Sequence, residues 1–269
     1  MKVFVIDIAR CNGCYCCQIA CKDEHAGNDW SPYAMPQPET GQFWLKLNEY
    51  VKGTVPAVRM HYQPVLCPHC DDAPCMKACT VEGAIYKRDD GLVIIDPEKC
   101  SGCKDCVGAC PWHVIYFNEE LNIAQKCTGC AHLLDNGWEV PRCVDACPTE
   151  CFRFGEEDEL QELIRQGEPA CSETTAMPRL YYVNLPKKFI AGTVYDPVAR
   201  EVITGATCRL TDDGSGETRT AATDGFGDFR FEGLDESNFT LTIEKGDKAK
   251  TVAPISTEKD VNLGELPLM

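Results

Sequence analysis

Positive charge is scarce in this 269-residue chain. Twenty-six Lys and Arg stand against 42 Asp and Glu, a formal net charge of −16 at pH 7. Nucleic-acid binding needs a basic footprint, so that class is excluded; an acidic surface suits solubility and basic protein partners. Long apolar runs are missing too. No stretch approaches the roughly 18 apolar residues that span a bilayer, so no direct membrane span is expected. The opening MKVFVIDIARC has a short apolar run that contains Asp7 and leads straight to Cys11, unlike a signal peptide, and no twin-arginine pair lies near it. Histidine is limited to five residues, with no metal-site or triad spacing and none beyond His132. We therefore expect no catalytic residue in this chain.

Cysteine is what the chain has in excess. Sixteen of 20 fall into four groups of four: Cys11, Cys14, Cys17 and Cys21; Cys67, Cys70, Cys75 and Cys79; Cys100, Cys103, Cys106 and Cys110; Cys127, Cys130, Cys143 and Cys147. A [4Fe–4S] cube takes four thiolates. A C-x2-C-x2-C loop supplies three, and the following cysteine, often before proline, ligates the other cube of a pair. The third group, CSGCKDCVGACP, fits this rule without deviation. The first carries an additional cysteine, the second a longer middle loop, and the fourth a 12-residue insertion.

Exchange of fourth ligands predicts four sets. The adjacent second and third groups give Cys67, Cys70, Cys75 with Cys110, and Cys100, Cys103, Cys106 with Cys79. The outer groups give Cys11, Cys14, Cys17 with Cys147, and Cys127, Cys130, Cys143 with Cys21. Zinc also uses C-x2-C pairs, but usually two separated ones. A disulfide framework is disfavoured because these spacings crowd the cysteines too closely to pair. Cys16, Cys151, Cys171 and Cys208 are left over and read as inert thiols, with Cys16 a competitor for Cys14 or Cys17. His69 and His113, inside or beside ligand motifs, read as packing or hydrogen-bonding residues. Cluster thiolates argue for a reducing compartment; we expect a cytoplasmic protein, or one exported folded with a partner that bears a twin-arginine signal.

The expected fold class is α+β: two nested ferredoxin-like 2[4Fe–4S] units followed by a small all-β sandwich. The four-cluster domain covers 1–155, with an inner unit at about 61–111 and an outer unit of 1–60 with 112–155. Within it, residues 1–8 read as a strand, as does Phe43–Tyr50 in the insert after Cys21. That insert, including His25 and Asp29, reads as a loop touching a partner subunit. Ile85–Lys87 with Leu92–Ile95 forms a hairpin around Asp90-Gly91, and VIYFNEELNIAQKC forms another. A helix over 156–166 and a proline-punctuated linker occupy 156–186. From 187 to 269, FIAGTVYD, ATCRLTD, TRTAATD, GDFRFEGL, NFTLTIEKG and VNLGEL read as strands between short turns.

The segments CPHCDDAPC, GLVIIDPEKCSGCKDCVGACPW and IAQKCTGCAHLLDNGWEVPRCVDAC resemble the iron–sulfur subunits of the molybdopterin oxidoreductase (dimethyl sulfoxide reductase) family. CKDEHAGNDW, HYQPVLCPHC, PRLYYVNL and FIAGTVYD are similar to small subunits of the pyrogallol–phloroglucinol transhydroxylase type. The last domain is similar to transthyretin-like and carboxypeptidase-regulatory sandwiches. The resemblance implies an electron-transfer subunit carrying four [4Fe–4S] clusters. It also implies a separate large subunit holding molybdenum or tungsten on a bis-pyranopterin cofactor (bis-MGD), and an external electron donor. The transhydroxylase type lacks the third cysteine group and holds three clusters, whereas Cys100, Cys103 and Cys106 are all present here. A complete set fits a reductive aromatic dehydroxylase better than a redox-neutral transhydroxylase. A free-standing polyferredoxin is the other alternative, against which the insert and the β-domain count.

Overall fold

The computed structural model describes residues 1–170 and 175–269. These form two compact units, Met1–Glu49 with His61–Leu185, and Tyr50–Met60 with Pro186–Met269.

The first unit is organised by the strand Lys2–Asp7, whose residues Val3 to Ile6 are all buried. A short run that is apolar on both faces suits the middle of a covered sheet. It pairs antiparallel with Phe152–Glu156 and parallel with Leu180–Val183, and Glu168–Pro169 completes a four-stranded sheet. The predicted helix forms over Glu157–Gln166, closed by a capping box between Glu156 and Glu159. The stretch read as a linker differs from expectation, since LYYV at 180–183 joins the sheet. Arg179 pins its start. Its guanidinium is 5 % exposed, pairs with Asp71 at 3.0 Å and Glu157 at 2.9 Å, and donates to the carbonyls of Met1 and Lys2.

The remainder of this unit is short. The hairpins Ile85–Lys87/Val93–Ile95 and Tyr116–Asn118/Ile123–Gln125 form where expected. Helices Cys16–His25, Pro74–Ala78, Asp105–Ala109 and Arg142–Asp145 each carry the third cysteine of a group. The predicted strand in the insert extends to Leu45–Thr54 and pairs with Ala57–Leu66. Ala57–Leu66 has no clean two-residue alternation of burial, which is why periodicity did not reveal it.

The second unit is a two-sheet β-sandwich. One sheet runs Glu201–Val202, Lys188–Asp196, Asp228–Leu234, with Val261–Pro267 parallel to Lys188–Asp196. The other runs Thr218–Ala222, Thr207–Asp212, Asn238–Lys245, Lys248–Ser256. Both sheets feed one core that includes Ile190, Val194, Leu210, Phe231, Leu241 and Ile243. In Asn238–Lys245 the buried residues alternate strictly, as a half-buried strand requires. Sequence reading missed Lys248–Ser256. It is an edge strand with lysines and a proline, and only Ile255 is buried; such edges are polar to block further pairing.

Candidate functional site

Each ligand loop begins with a left-handed turn. In CNGC, CSGC and CTGC the residue before the second cysteine is Gly13, Gly102 or Gly129, with φ of +75°, +77° and +63°. A Cβ at Gly13 would lie 2.5 Å from the Tyr62 ring, so the loop is tight as well as left-handed. The second group, CPHC, has His69 at this position with φ +46°. Backbone N–H groups face sulfur: Gly129 N–H, in one of these turns, lies 3.3 Å from Cys127 Sγ, and Ala124 N–H, in the strand Ile123–Gln125, lies 3.5 Å from Cys100 Sγ. Such inward-facing amides form anion-binding concavities.

The sixteen predicted cysteines converge in four places. Cys67, Cys70, Cys75 and Cys110 line one cavity. Cys79, Cys100, Cys103 and Cys106 line another. The remaining two sets are visible in the charges that act on each thiol. Burial pushes Cys17 up to about 12, and Cys11, Cys147 and Cys14 add repulsion. Burial raises Cys21 strongly, helped by Cys127 and Cys130, and Cys143 rises for the same reasons, with Cys130 and Cys21 beside it. Cys79, Cys110, Cys147 and Cys21 therefore each lie with the other group of their pair.

The sets are also adjacent to one another. Cys143 feels Cys17, Cys127 feels Cys67, and Cys106 feels Cys75. The order is Cys11/Cys14/Cys17/Cys147, then Cys21/Cys127/Cys130/Cys143, then Cys67/Cys70/Cys75/Cys110, then Cys79/Cys100/Cys103/Cys106. Only the terminal sets contain an exposed member, Cys14 at one end and Cys103 at the other; the two middle sets are buried throughout.

The donor chemistry suits iron–sulfur cubes. Every cysteine among the described residues is a free thiol. Among the same residues, no three His, Cys, Asp or Glu side chains converge tightly enough for a single metal ion. A mononuclear zinc site would draw four sulfurs to about 2.3 Å from one point, whereas a cube spreads them around an inorganic core. Buried thiols held neutral by desolvation would ligate such a core as thiolates.

Of the leftover cysteines, Cys16 is exposed at the start of its helix, while Cys17 and Cys21 turn inward. Cys208 is buried in the sandwich core. Cys171 lies outside the described residues. Cys151 lies beside the first set: its thiol sits 3.4 Å from Cys147 Sγ, and its hydrogen bond is the chief cause that lowers Cys11. Proline after Cys147 marked the ligand but did not reveal this neighbour. His25 is buried against Trp44, with Nε2 4.0 Å from Cys130 Sγ, whereas Asp29 only holds a turn at Ser31. Sequence reading passed over Lys126. It is 3 % exposed, donates to the carbonyls of Val93 and Cys127, and has Cys67 and Cys75 beside it. Burial alone would lower its ammonium, but Cys67, Cys75 and Cys127 beside it outweigh that and raise it. No single-sequence signal marks a lysine that folding will bury.

Comparison with known proteins agrees with this site. A 4Fe-4S dicluster domain matches residues 58–157, and a carboxypeptidase regulatory-like domain matches 190–264. The pyrogallol hydroxytransferase small subunit of Pelobacter acidigallici is 36% identical over 274 residues, covering 98% of each chain. A probable anaerobic dimethyl sulfoxide reductase chain of Escherichia coli is 33% identical over 66% of this chain and 83% of its own. The arsenate respiratory reductase iron-sulfur subunit of a Shewanella strain is 32% identical over 66% of this chain and 94% of its own. No helix among the described residues is long and apolar enough to cross a membrane. Full-length identity, the dicluster match and the convergent cysteines together place the chain in the family of iron–sulfur electron-transfer subunits of the molybdopterin oxidoreductases.

Proposed function

We propose that this chain holds four [4Fe–4S] clusters in two nested ferredoxin-like units. It would relay electrons one at a time between an external donor and a catalytic subunit bearing molybdenum or tungsten on bis-MGD. The observation that carries the reading is the unbroken order of four cysteine sets whose two end sets reach the surface at Cys14 and Cys103. A relay needs that form: buried middle positions shielded from water, and an accessible position at each end. When bound, the clusters supply single-electron conduction. The protein's part is to space them, exclude water and direct amide donors at sulfur.

The complete third group favours a complex that consumes or delivers electrons, such as a reductive aromatic dehydroxylase. Redox-neutral transhydroxylation is the second reading, favoured by the full-length likeness to the pyrogallol hydroxytransferase small subunit. The residues 187–269 would orient the complex instead of reacting. The need to keep sixteen thiols reduced during assembly supports a cytoplasmic location.

Iron and acid-labile sulfide analysis of the anaerobically purified complex tests the count. Four cubes give about sixteen irons per chain and three give about twelve. Assay of the complex on catechol-type substrates with a reduced dye separates the two readings. Dehydroxylation coupled to dye oxidation supports the first, and hydroxyl exchange without dye oxidation supports the second. Isolation of the chain alone, as a carrier active with unrelated enzymes, would overturn both.

A further inference from the structure

His69 takes up a left-handed backbone position that the other three groups give to glycine. Residues other than glycine reach this region uncommonly, histidine more readily than most. Its ring is held on one side: Nδ1 accepts the Val93 N–H at 3.0 Å. An accepting Nδ1 leaves the proton on Nε2. That Nε2 is buried with no partner among the described residues, and the ring, 2 % exposed, lines the cavity of Cys67, Cys70, Cys75 and Cys110.

Trp112 repeats the pattern. It lines the same cavity, and its Nε1, a donor only, is buried without a partner among the described residues. Two orphaned donors at one cavity are unusual, since each costs desolvation energy unless something accepts from it. The ammonium of Lys126 donates to the carbonyl of Val93, which lines the same cavity. The described residues supply no acceptor for the two N–H groups, whereas the sulfurs of a cube in this cavity would.

We propose that His69 Nε2–H and Trp112 Nε1–H donate to the sulfurs of the cluster held by Cys67, Cys70, Cys75 and Cys110, and that with Lys126 they raise the reduction potential of that cluster specifically. Reduction adds one negative charge to the cube. Donors and a nearby cation stabilise the more negative state, so the potential rises. The three are positioning residues, outside the ligand set. The inference rests on the iron–sulfur reading above and deepens it.

The test is an EPR-monitored redox titration of the intact complex, with mediator dyes and dithionite. Cys110→Ser identifies which signal belongs to this cluster. Lys126→Met should lower its reduced-to-oxidised ratio about tenfold at a fixed poise, equivalent to about 59 mV for a one-electron couple. Trp112→Phe keeps the ring and loses the N–H, and should lower the ratio about threefold. His69→Asn keeps a residue tolerant of the left-handed turn and should act in the same direction. Lys126→Arg should restore most of the parental value. The other three potentials should stay in place, and iron content should equal that of the parent. Parental potentials in iron-replete variants, or equal shifts of all clusters, would overturn the inference. If one variant loses iron, the other two decide. Absence of cluster signals from the parent complex would instead sink the iron–sulfur reading.

Discussion

The two units of this chain bury their interiors by different means. The Pro186–Met269 unit is an ordinary sandwich: Phe231, Leu241, Ile243 and their neighbours fill the space between two sheets, and apolar transfer out of water holds it. In the cysteine-rich unit, sulfur takes much of that place. Cys17, Cys21, Cys67, Cys70, Cys75, Cys106, Cys110, Cys127 and Cys143 belong to the core, and the hairpins Ile85–Lys87/Val93–Ile95 and Tyr116–Asn118/Ile123–Gln125 have only three residues a side. Strands that short do not hold a fold by pairing. Apolar side chains fill the one interior, whereas thiols of all four groups stand among those of the other.

Iron removal should expose this difference most strongly. Anaerobic chelation is expected to abolish slow amide exchange around the ligand loops and leave the strand Asn238–Lys245 as protected as before, because metal-binding energy in such domains is folding energy. Equal loss of protection in both units, followed by hydrogen exchange, would break the comparison. Next comes a contrast of single cysteines. Cys110→Ala should eliminate the cluster of Cys67, Cys70 and Cys75, seen as loss of about four irons, whereas Cys208→Ala in the sandwich should leave iron content unchanged. Loss confined to the cluster of Cys100 would refute the exchanged ligand sets.

Leu241→Ala should cost the sandwich about 2–5 kcal/mol by cavity formation, measured by denaturant titration, without altering any EPR signal. Arg179→Met does the reverse. It removes a cation buried between Asp71 and Glu157 and should cost the cysteine-rich unit about 2 kcal/mol. That is below the range for a fully buried pair because Glu157 is half exposed. The smallest effect is electrostatic and belongs to the sandwich. Asp196 is lowered from an ordinary 3.8 to about 2, first by its hydrogen bond with Lys248 at 2.7 Å and then by the amides of Ala199 and Val198. A carboxylate depressed on folding stabilises above its unfolded value, and that contribution fades as pH falls from about 4 to about 2. Lys248→Met should flatten the melting temperature of the sandwich across that window. An unchanged slope would show that the amides alone hold the carboxylate.

Much of the site was legible before folding. C-x2-C-x2-C spacing is a local geometric demand of a cube, so Cys11, Cys14, Cys17 and their counterparts could be read as loop ligands directly. Strict alternation likewise exposed Asn238–Lys245, because a strand with one wet face must alternate. Lys248–Ser256 escaped because an edge strand is polar by necessity, and Leu180–Val183 escaped because its partner, Lys2–Asp7, is some 175 residues away. Local pattern carries no information about a parallel partner at that distance.

By itself, then, the sequence determined the family and the alternation that makes a sandwich, since each is written in patterns along the chain. Tertiary structure alone decided that the order of the sets ends at two exposed cysteines. It also brought His69, Trp112 and Lys126 around one set and put Cys151 beside Cys11 and Cys147. Those facts depend on distances through space between residues far apart in the chain, and burial, not spacing, gives such donors and charges their strength.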